Sequence, residues 1–206
     1  SGTVEATGGT LAAGIGGGCD SAGGNITISG SANVTANGGG EGAGIGGGYD
    51  GNGGNITIEG GTVTANSSYG AGIGGGENGA GGNITIKEGT VTAESSNSGA
   101  GIGGGWSGAG GTITISGGTV SAQGGSITIG TGDNAATYYS AGIGDGINCS
   151  GSDTSTFTAN GDAIIFAAGG EDTNGGGEAI SDTTGRDSWK GIIFENITYD
   201  KKYLFR

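Results

Sequence analysis

Proline, methionine and histidine are absent from the 206 residues, and basic side chains nearly so. Each absence removes a class of protein. Without proline, and without glycine at every third position, a collagen triple helix is excluded. Without histidine there is no Ser-His-Asp or Cys-His catalytic arrangement. With only Cys19 and Cys149, zinc sites built from histidine and cysteine are excluded too. No apolar run approaches the roughly 20 residues of a membrane helix. No basic segment followed by an apolar stretch opens the chain, so a signal peptide is either missing or already removed. There is no initiator methionine either, and the chain reads as an excised segment of a longer polypeptide.

Six basic residues stand against 19 acidic ones, for a formal net charge of −13. Lys87 is the only basic residue before Arg186. Such a surface repels phosphate backbones and anionic lipids, so neither nucleic acid nor membrane is an expected partner.

What the chain has in excess is glycine, at 58 positions, and the glycines follow a period. A-G-I-G-G-G begins at Ala13, Ala43, Ala71 and Ala100, and returns as A-G-I-G-D-G at Ala141, in steps of 30, 28, 29 and 41 residues. N-I-T-I begins at Asn25, Asn55 and Asn83 and continues as T-I-T-I at Thr112. A third string runs T-V-E-A at Thr3, N-V-T-A at Asn33, T-V-T-A at Thr62 and Thr90, and T-V-S-A at Thr119. Repeats of this length signal a solenoid.

Within each string apolar residues alternate, which places them on one face of a strand. Three short strands per unit of about 29 residues describe one rung of a parallel β-helix. Three inward columns follow: Ile15 to Ile143 on the first wall, the isoleucine pairs from Ile26/Ile28 to Ile113/Ile115 on the second, and the valine–alanine pairs from Val4/Ala6 to Val120/Ala122 on the third. Residues 1–149 form the regular repeats, with an insertion around 123–140 that holds the out-of-order Ser126 to Ile129. Residues 150–206 are read as irregular final rungs and a C-terminal cap, with Glu178-Ala179-Ile180 a decayed A-G-I and Lys201, Lys202 and Arg206 as charged guards of the last edge. About six rungs result. The chain begins in mid-rung, so more protein is expected N-terminal to it. Cys19 and Cys149 lie four rungs apart, roughly 19 Å at the strand spacing, too far for a disulfide.

The phrase G-A-G-I-G-G-G…G-G-N-I-T-I…G-G-T-V-T-A-N resembles the glycine-rich repeats of secreted or wall-attached proteins of Gram-positive gut bacteria. The resemblance spans about residues 1 to 146. It implies a right-handed parallel β-helix, a secreted or cell-surface location, and an adhesin-like or carbohydrate-binding role, with a polysaccharide or host glycan as partner.

The candidate site is the A-G-I-G-G-G wall. Its outward positions are glycines, which suggests a shallow trough of bare backbone. Tyr69 and Tyr139 stand two residues before the alanine; Tyr49 and Trp106 stand just after the last glycine. With Asp50 and Glu77 nearby, such a trough offers apolar faces and hydrogen-bond acceptors to a sugar chain. No catalytic residue and no cofactor is assigned. The carboxylates Asp20, Asp50 and Glu77 fall at adjacent corners after the A-G-I-G-G-G strand, and Asn78, Ser107 and Asn148 continue the second corner column. They are read as turn residues, aspartate and asparagine tolerating a left-handed backbone, with a weak calcium site as the alternative. The Asn-x-Thr triplets at Asn25, Asn33, Asn55, Asn83 and Asn196 are strand residues rather than glycosylation sites. Glu59 and Lys87 are adjacent-rung ion-pair partners. The competing functions are a β-helical polysaccharide hydrolase or lyase, and ice binding through outward threonine ranks such as Thr62/Thr64 and Thr90/Thr92.

Overall fold

The structure, a computed structural model, describes residues 1–149, 155–172, 175–176, 178–180 and 192–195. The C-terminal guards Lys201, Lys202 and Arg206 and the triplet at Asn196 lie outside the described residues, as does most of the expected cap. Among the described residues no helix is long and apolar enough to cross a membrane.

The chain is an all-β solenoid of parallel strands stacked at a spacing of about 29 residues. Its first wall consists of two-residue strands, with Ile15, Ile45, Ile73, Ile102 and Ile143 paired in register from turn to turn. A parallel bridge carries the column on to Ile180, where Glu178-Ala179-Ile180 takes the place of a further A-G-I. The second wall pairs Asn25–Ser29, the first part of Asn55–Ser67, the first part of Asn83–Ser95, Thr112–Ile115 and Thr156–Ala159. The third wall begins at Thr3–Thr7 and Asn33–Asn37 and takes in the later parts of the same two long strands. It continues through Thr119–Gln123 and Ile164–Ala168 to Ile192–Glu195.

Alternation decides which side chains enter the core. Ile56, Ile58, Ile84, Ile86, Ile113 and Ile115 are buried, as are Val63, Ala65, Val91 and Ala93. Outside the repeats the same columns are filled by Phe157 and Ala159 on the second wall and by Ile165 and Ala167 on the third. Between these columns Thr27, Thr57, Thr85, Thr114 and Thr158 form one outward file. Thr35, Thr64, Thr92 and Ser121 form another. At mid-stack the second and third walls are not separated by a break. Asn55–Ser67 and Asn83–Ser95 each run through the corner as single strands, with a register shift around Glu59. Gly60 and Gly61, at φ 145° and 87°, let the strand bend there while its ladder continues.

Asparagine at the start of the second wall has a structural role. The Asn55 side-chain amide donates to Asn25 Oδ1 at 2.8 Å, and that of Asn83 donates to Asn55 Oδ1 at 2.9 Å. Asn66 donates to Asn37 Oδ1 in the same way on the third wall, at 2.9 Å. Stacked amides of identical residues satisfy one another along the axis. Lys87 Nζ meets Glu59 Oε1 at 2.8 Å with both side chains about half exposed, so the pair contributes under about 1 kcal/mol. Cys19 and Cys149 are not joined by a disulfide.

Where the repeat departs from its pattern, a side chain replaces a backbone partner. Gly23, Gly53 and Gly81 each donate their N–H to a carbonyl one turn on. The equivalent Gly110 donates instead to Asp145 Oδ1 and Ser155 Oγ, both at 2.8 Å. The Ser155 hydroxyl in turn donates to Asp145. Asp145 is the residue that turns A-G-I-G-G-G into A-G-I-G-D-G.

Two stability predictions follow from the packing. Ile86→Ala removes a fully buried side chain from mid-stack and is expected to cost about 2 to 5 kcal/mol, while Thr85→Ala, facing outward one residue away, costs under about 1 kcal/mol. Denaturant melts of both variants decide this, and equal losses would mean the strand faces are reversed. A Cβ on Gly74, at φ 139°, would collide with the Gly103 carbonyl, whereas one on Gly18 meets nothing within 4 Å. Gly74→Ala should therefore cost more than about 3 kcal/mol and Gly18→Ala under about 0.5 kcal/mol, measured in the same melts.

Candidate functional site

The first wall is not an open trough. Gly44, Gly46, Gly72, Gly74, Gly101 and Gly103 are buried. A Cβ on Gly44 or Gly72 would strike the backbone of the third wall near Asn66 or Glu94. The glycines are there because two layers of backbone pack against each other with no room for a side chain. The expectation of a bare glycine strip exposed to a ligand is corrected on this point.

The residues around that wall form two columns. Immediately after the last glycine come Cys19, Tyr49, Glu77, Trp106 and Ile147. Next to them Asp20, Asp50, Asn78, Ser107 and Asn148 all hold φ between 54° and 64°, the left-handed corner expected of this column. Adjacent members are linked, with Asn78 Nδ2 donating to Asp50 Oδ1 at 2.9 Å and Asn148 Nδ2 to Ser107 Oγ at 3.3 Å. The second column stands two residues before each alanine: Leu11, Glu41, Tyr69, Ser98 and Tyr139.

These columns lie side by side, although one precedes the alanine of the wall and the other follows its last glycine. The N–H groups of Tyr49, Glu77, Trp106 and Ile147 donate to the carbonyls of Leu11, Glu41, Tyr69 and Ser98, at 2.7 to 3.0 Å. Two of the pairs match in character. Tyr69 and Trp106 are stacked, with ring centroids 6.2 Å apart and planes at 29°. One turn earlier the matched pair is Glu41 and Glu77. Burial pushes the Glu77 carboxyl above its ordinary value, and the charges of Glu41 and Asp50 push it further the same way. The Asp50 carboxylate, with some burial and other nearby acids, raises the Tyr49 phenol.

The insertion supplies what the repeats lack. Ser126–Ile129 pairs antiparallel with Ala136–Tyr139 around a short 3₁₀ turn at Gly132–Asn134, forming a hairpin. Tyr138 pairs with Ile127, and Ile129 with Ala136, so period-two alternation puts Ile127, Ile129 and Tyr138 on one face. Tyr138 and Ile129 are 47% and 49% exposed. Together with Trp106, Ile147 and Asn148 they line an open cavity of about 200 Å³. Of the six residues singled out from sequence, only Trp106 lines this cleft, with Tyr69 stacked on its ring. Tyr139 falls on the opposite hairpin face from Tyr138. Tyr49 lies two turns from Trp106 in its column, with Glu77 between them, and neither Asp50 nor Glu77 lines the cleft. Tyr138, Ile129 and Ile147 were missed. The signal for Tyr138 and Ile129 was the alternation of S-I-T-I and A-T-Y-Y on either side of a glycine-rich turn inside an over-long repeat, and that for Ile147 was its place just after the last glycine, in register with Tyr49 and Trp106.

Among the described residues no group of three or more carboxylates or thiols is placed to hold a metal ion. Ser95 and Ser140 bury their hydroxyls against backbone partners. The buried Ser98 hydroxyl, next to Ile147 in the paired columns, has no hydrogen-bond partner among the described residues.

Parallel strands stacked at this period, each turn closing through an A-G-I-G wall, define a β-helix. The chain belongs to the β-helix repeat family, whose sequence model matches residues 1–19, 26–49, 56–77, 84–106 and 113–147, together more than half of the chain. The last four segments end on Tyr49, Glu77, Trp106 and Ile147, so each closes on the column that carries the site. No curated protein and no solved structure matches the chain.

The acid pair yields a pH prediction. A carboxyl whose pKa is raised by folding binds more protons in the folded state between its ordinary value, near 4.5, and the raised one. Stability from this group is therefore greatest below about 4.5 and falls as pH rises through the folded value. Glu77→Gln should raise stability at pH 7, by under about 1 kcal/mol at a half-buried site that solvent still screens, and flatten the acidic limb. Thermal melts from pH 4 to 7 measure both; a variant less stable at pH 7 would mean the carboxylate is held by a favourable partner.

Proposed function

We propose that this chain is a non-enzymatic module of a secreted or cell-surface bacterial protein, and that it contacts glycan through the cleft between the hairpin and the Trp106 corner. The observation that carries the reading is the composition of that cleft. An indole backed by a stacked tyrosine presents an apolar face, Ile129 and Ile147 extend it, and the Asn148 amide lies at its margin. Sugar rings combine an apolar face with rim hydroxyls, which suits such a wall. Likeness of the repeat to wall-attached proteins of Gram-positive bacteria supports the surface location. A rigid solenoid also suits a stalk that carries a contact site away from a cell surface.

The competing reading is a polysaccharide hydrolase or lyase. The grouping of Glu41, Glu77 and Asp50 favours it, since a carboxyl with a raised pKa beside a second carboxylate is what general acid catalysis uses. The threonine files favour a third reading, ice binding.

A glycan array followed by calorimetry tests the first reading. Trp106→Ala is expected to weaken the best hit by about tenfold or more, since one stacking contact contributes about 0.5 to 1.5 kcal/mol beyond its buried area. It should leave the thermal melt nearly unchanged, because Trp106 lies outside the core columns. Release of reducing ends from the hit, abolished by Glu77→Gln, would replace binding with hydrolysis. Inhibition of ice recrystallisation without any glycan hit would move the function to the threonine files.

A further inference from the structure

We infer that the hairpin insertion is the specificity element of this chain, closing one side of a clasp that holds a single uncharged pyranose ring. The inference rests on the glycan reading above and narrows it in two respects, ligand size and ligand charge.

In the turns before it, the connection from the third wall to the alanine of the first is short: Asn37 to Ala43, Ser67 to Ala71, and Ser95 to Ala100. From Gln123 to Ala141 the connection instead rises into the hairpin. The corners at Tyr49 and Glu77 are thus built on short connections, while the corner at Trp106 and Ile147 gains a facing wall in Ile129 and Tyr138.

That wall is anchored. Gly125 N–H donates to Ser140 Oγ at 2.7 Å, and the buried Ser140 hydroxyl reaches the Gly99 carbonyl of the turn below at 2.6 Å. Ser140 N–H donates to Gly125 O at 3.0 Å, and Gly124 N–H to Ala168 O in the turn above at 2.9 Å. The base of the hairpin is therefore fixed between two turns of the solenoid, and a fixed wall costs less ordering on binding than a loose one.

Size and charge then select the occupant. A cavity of about 200 Å³ falls below the roughly 300 Å³ at which pockets for drug-sized ligands begin, so it takes one ring and leaves the next in solvent. Glu77 is the neighbour of Trp106 in its column, one strand spacing of about 4.8 Å away, with Glu41 paired to it and Asp50 close by. Lys87, the only basic residue before Arg186, is already paired with Glu59. A uronate, sialylated or sulfated sugar would meet this field without a compensating cation among the described residues.

The test uses the intact chain and NMR titration with methyl glycosides of glucose, galactose and N-acetylglucosamine, their oligomers of two to four units, and methyl glucuronide. One variant, Ile129→Ala with Tyr138→Ala, removes the hairpin wall at two half-exposed positions, its fold checked by circular dichroism. Tyr49→Ala, in the same column but outside the cleft, is the control. The expected result is that one neutral monosaccharide binds and that added rings improve affinity by under about threefold. The hairpin variant should lose about tenfold, a change of 1.4 kcal/mol, with Tyr49→Ala within about twofold of wild type and glucuronide at least about tenfold weaker. Binding that survives the hairpin variant, climbs about tenfold with each added ring, or accepts glucuronide equally would overturn the clasp while leaving glycan binding standing. No binding of any sugar by the wild-type chain would remove the glycan reading itself, and the clasp with it.

Discussion

Each turn of this chain directs its backbone N–H and C=O groups along the solenoid axis, and the ladder formed with the next turn is the constraint on which the rest depends. No single turn of about 29 residues could bury its few isoleucines and valines alone. Stacked in register, they become continuous columns closed to water on both sides. The same ladder demands that equivalent residues sit at equivalent heights, which is why the chain repeats so strictly. It also demands close approach at the first wall, where buried glycines lie against the neighbouring layer of backbone. A side chain there would hold the layers apart.

Polar residues answer to the same constraint. Asparagines 25, 55 and 83 recur because a side-chain amide stacked on its own kind can donate to the turn before and accept from the turn after. The left-handed corner tolerates a small set of residues, and aspartate, asparagine and serine fill it with side chains that reach one another along the axis. Where the regular turn ends, Asp145 and Ser155 supply Gly110 with the acceptors that carbonyls supply elsewhere. Departures from the repeat are thus local substitutions for a missing ladder partner, and the hairpin is the departure with no such explanation. It projects an apolar face beside the corner where the Trp106 indole is stacked on the Tyr69 phenol.

The fold was legible to an unusual degree, and the site was not. Period-two alternation within N-I-T-I and T-V-T-A is enough to assign inward and outward faces, and a repeated motif is enough to align turns, so Ile58 above Ile86 and Glu59 beside Lys87 follow from counting. Counting along one strand cannot say how two segments on either side of a loop meet. Tyr69 and Trp106 are 37 positions apart in the chain, and their stacking depends on which turn's corner reaches which. Tyr138 and Tyr139 are equivalent to any compositional argument, and only the pairing register of the hairpin sends one toward the cleft and the other away from it.

What the sequence by itself determined, then, is whatever the repeat encodes: the parallel strands, the three inward columns, the left-handed corner and the acidic surface. What only the tertiary structure decided is the burial of the glycine wall, the meeting of the two flanking columns, and the cleft. The physical reason is that a periodic ladder propagates local rules from turn to turn without loss. The cleft, by contrast, arises where an aperiodic insertion folds back on that ladder, and its geometry is set by backbone pairings between residues that no short-range pattern connects.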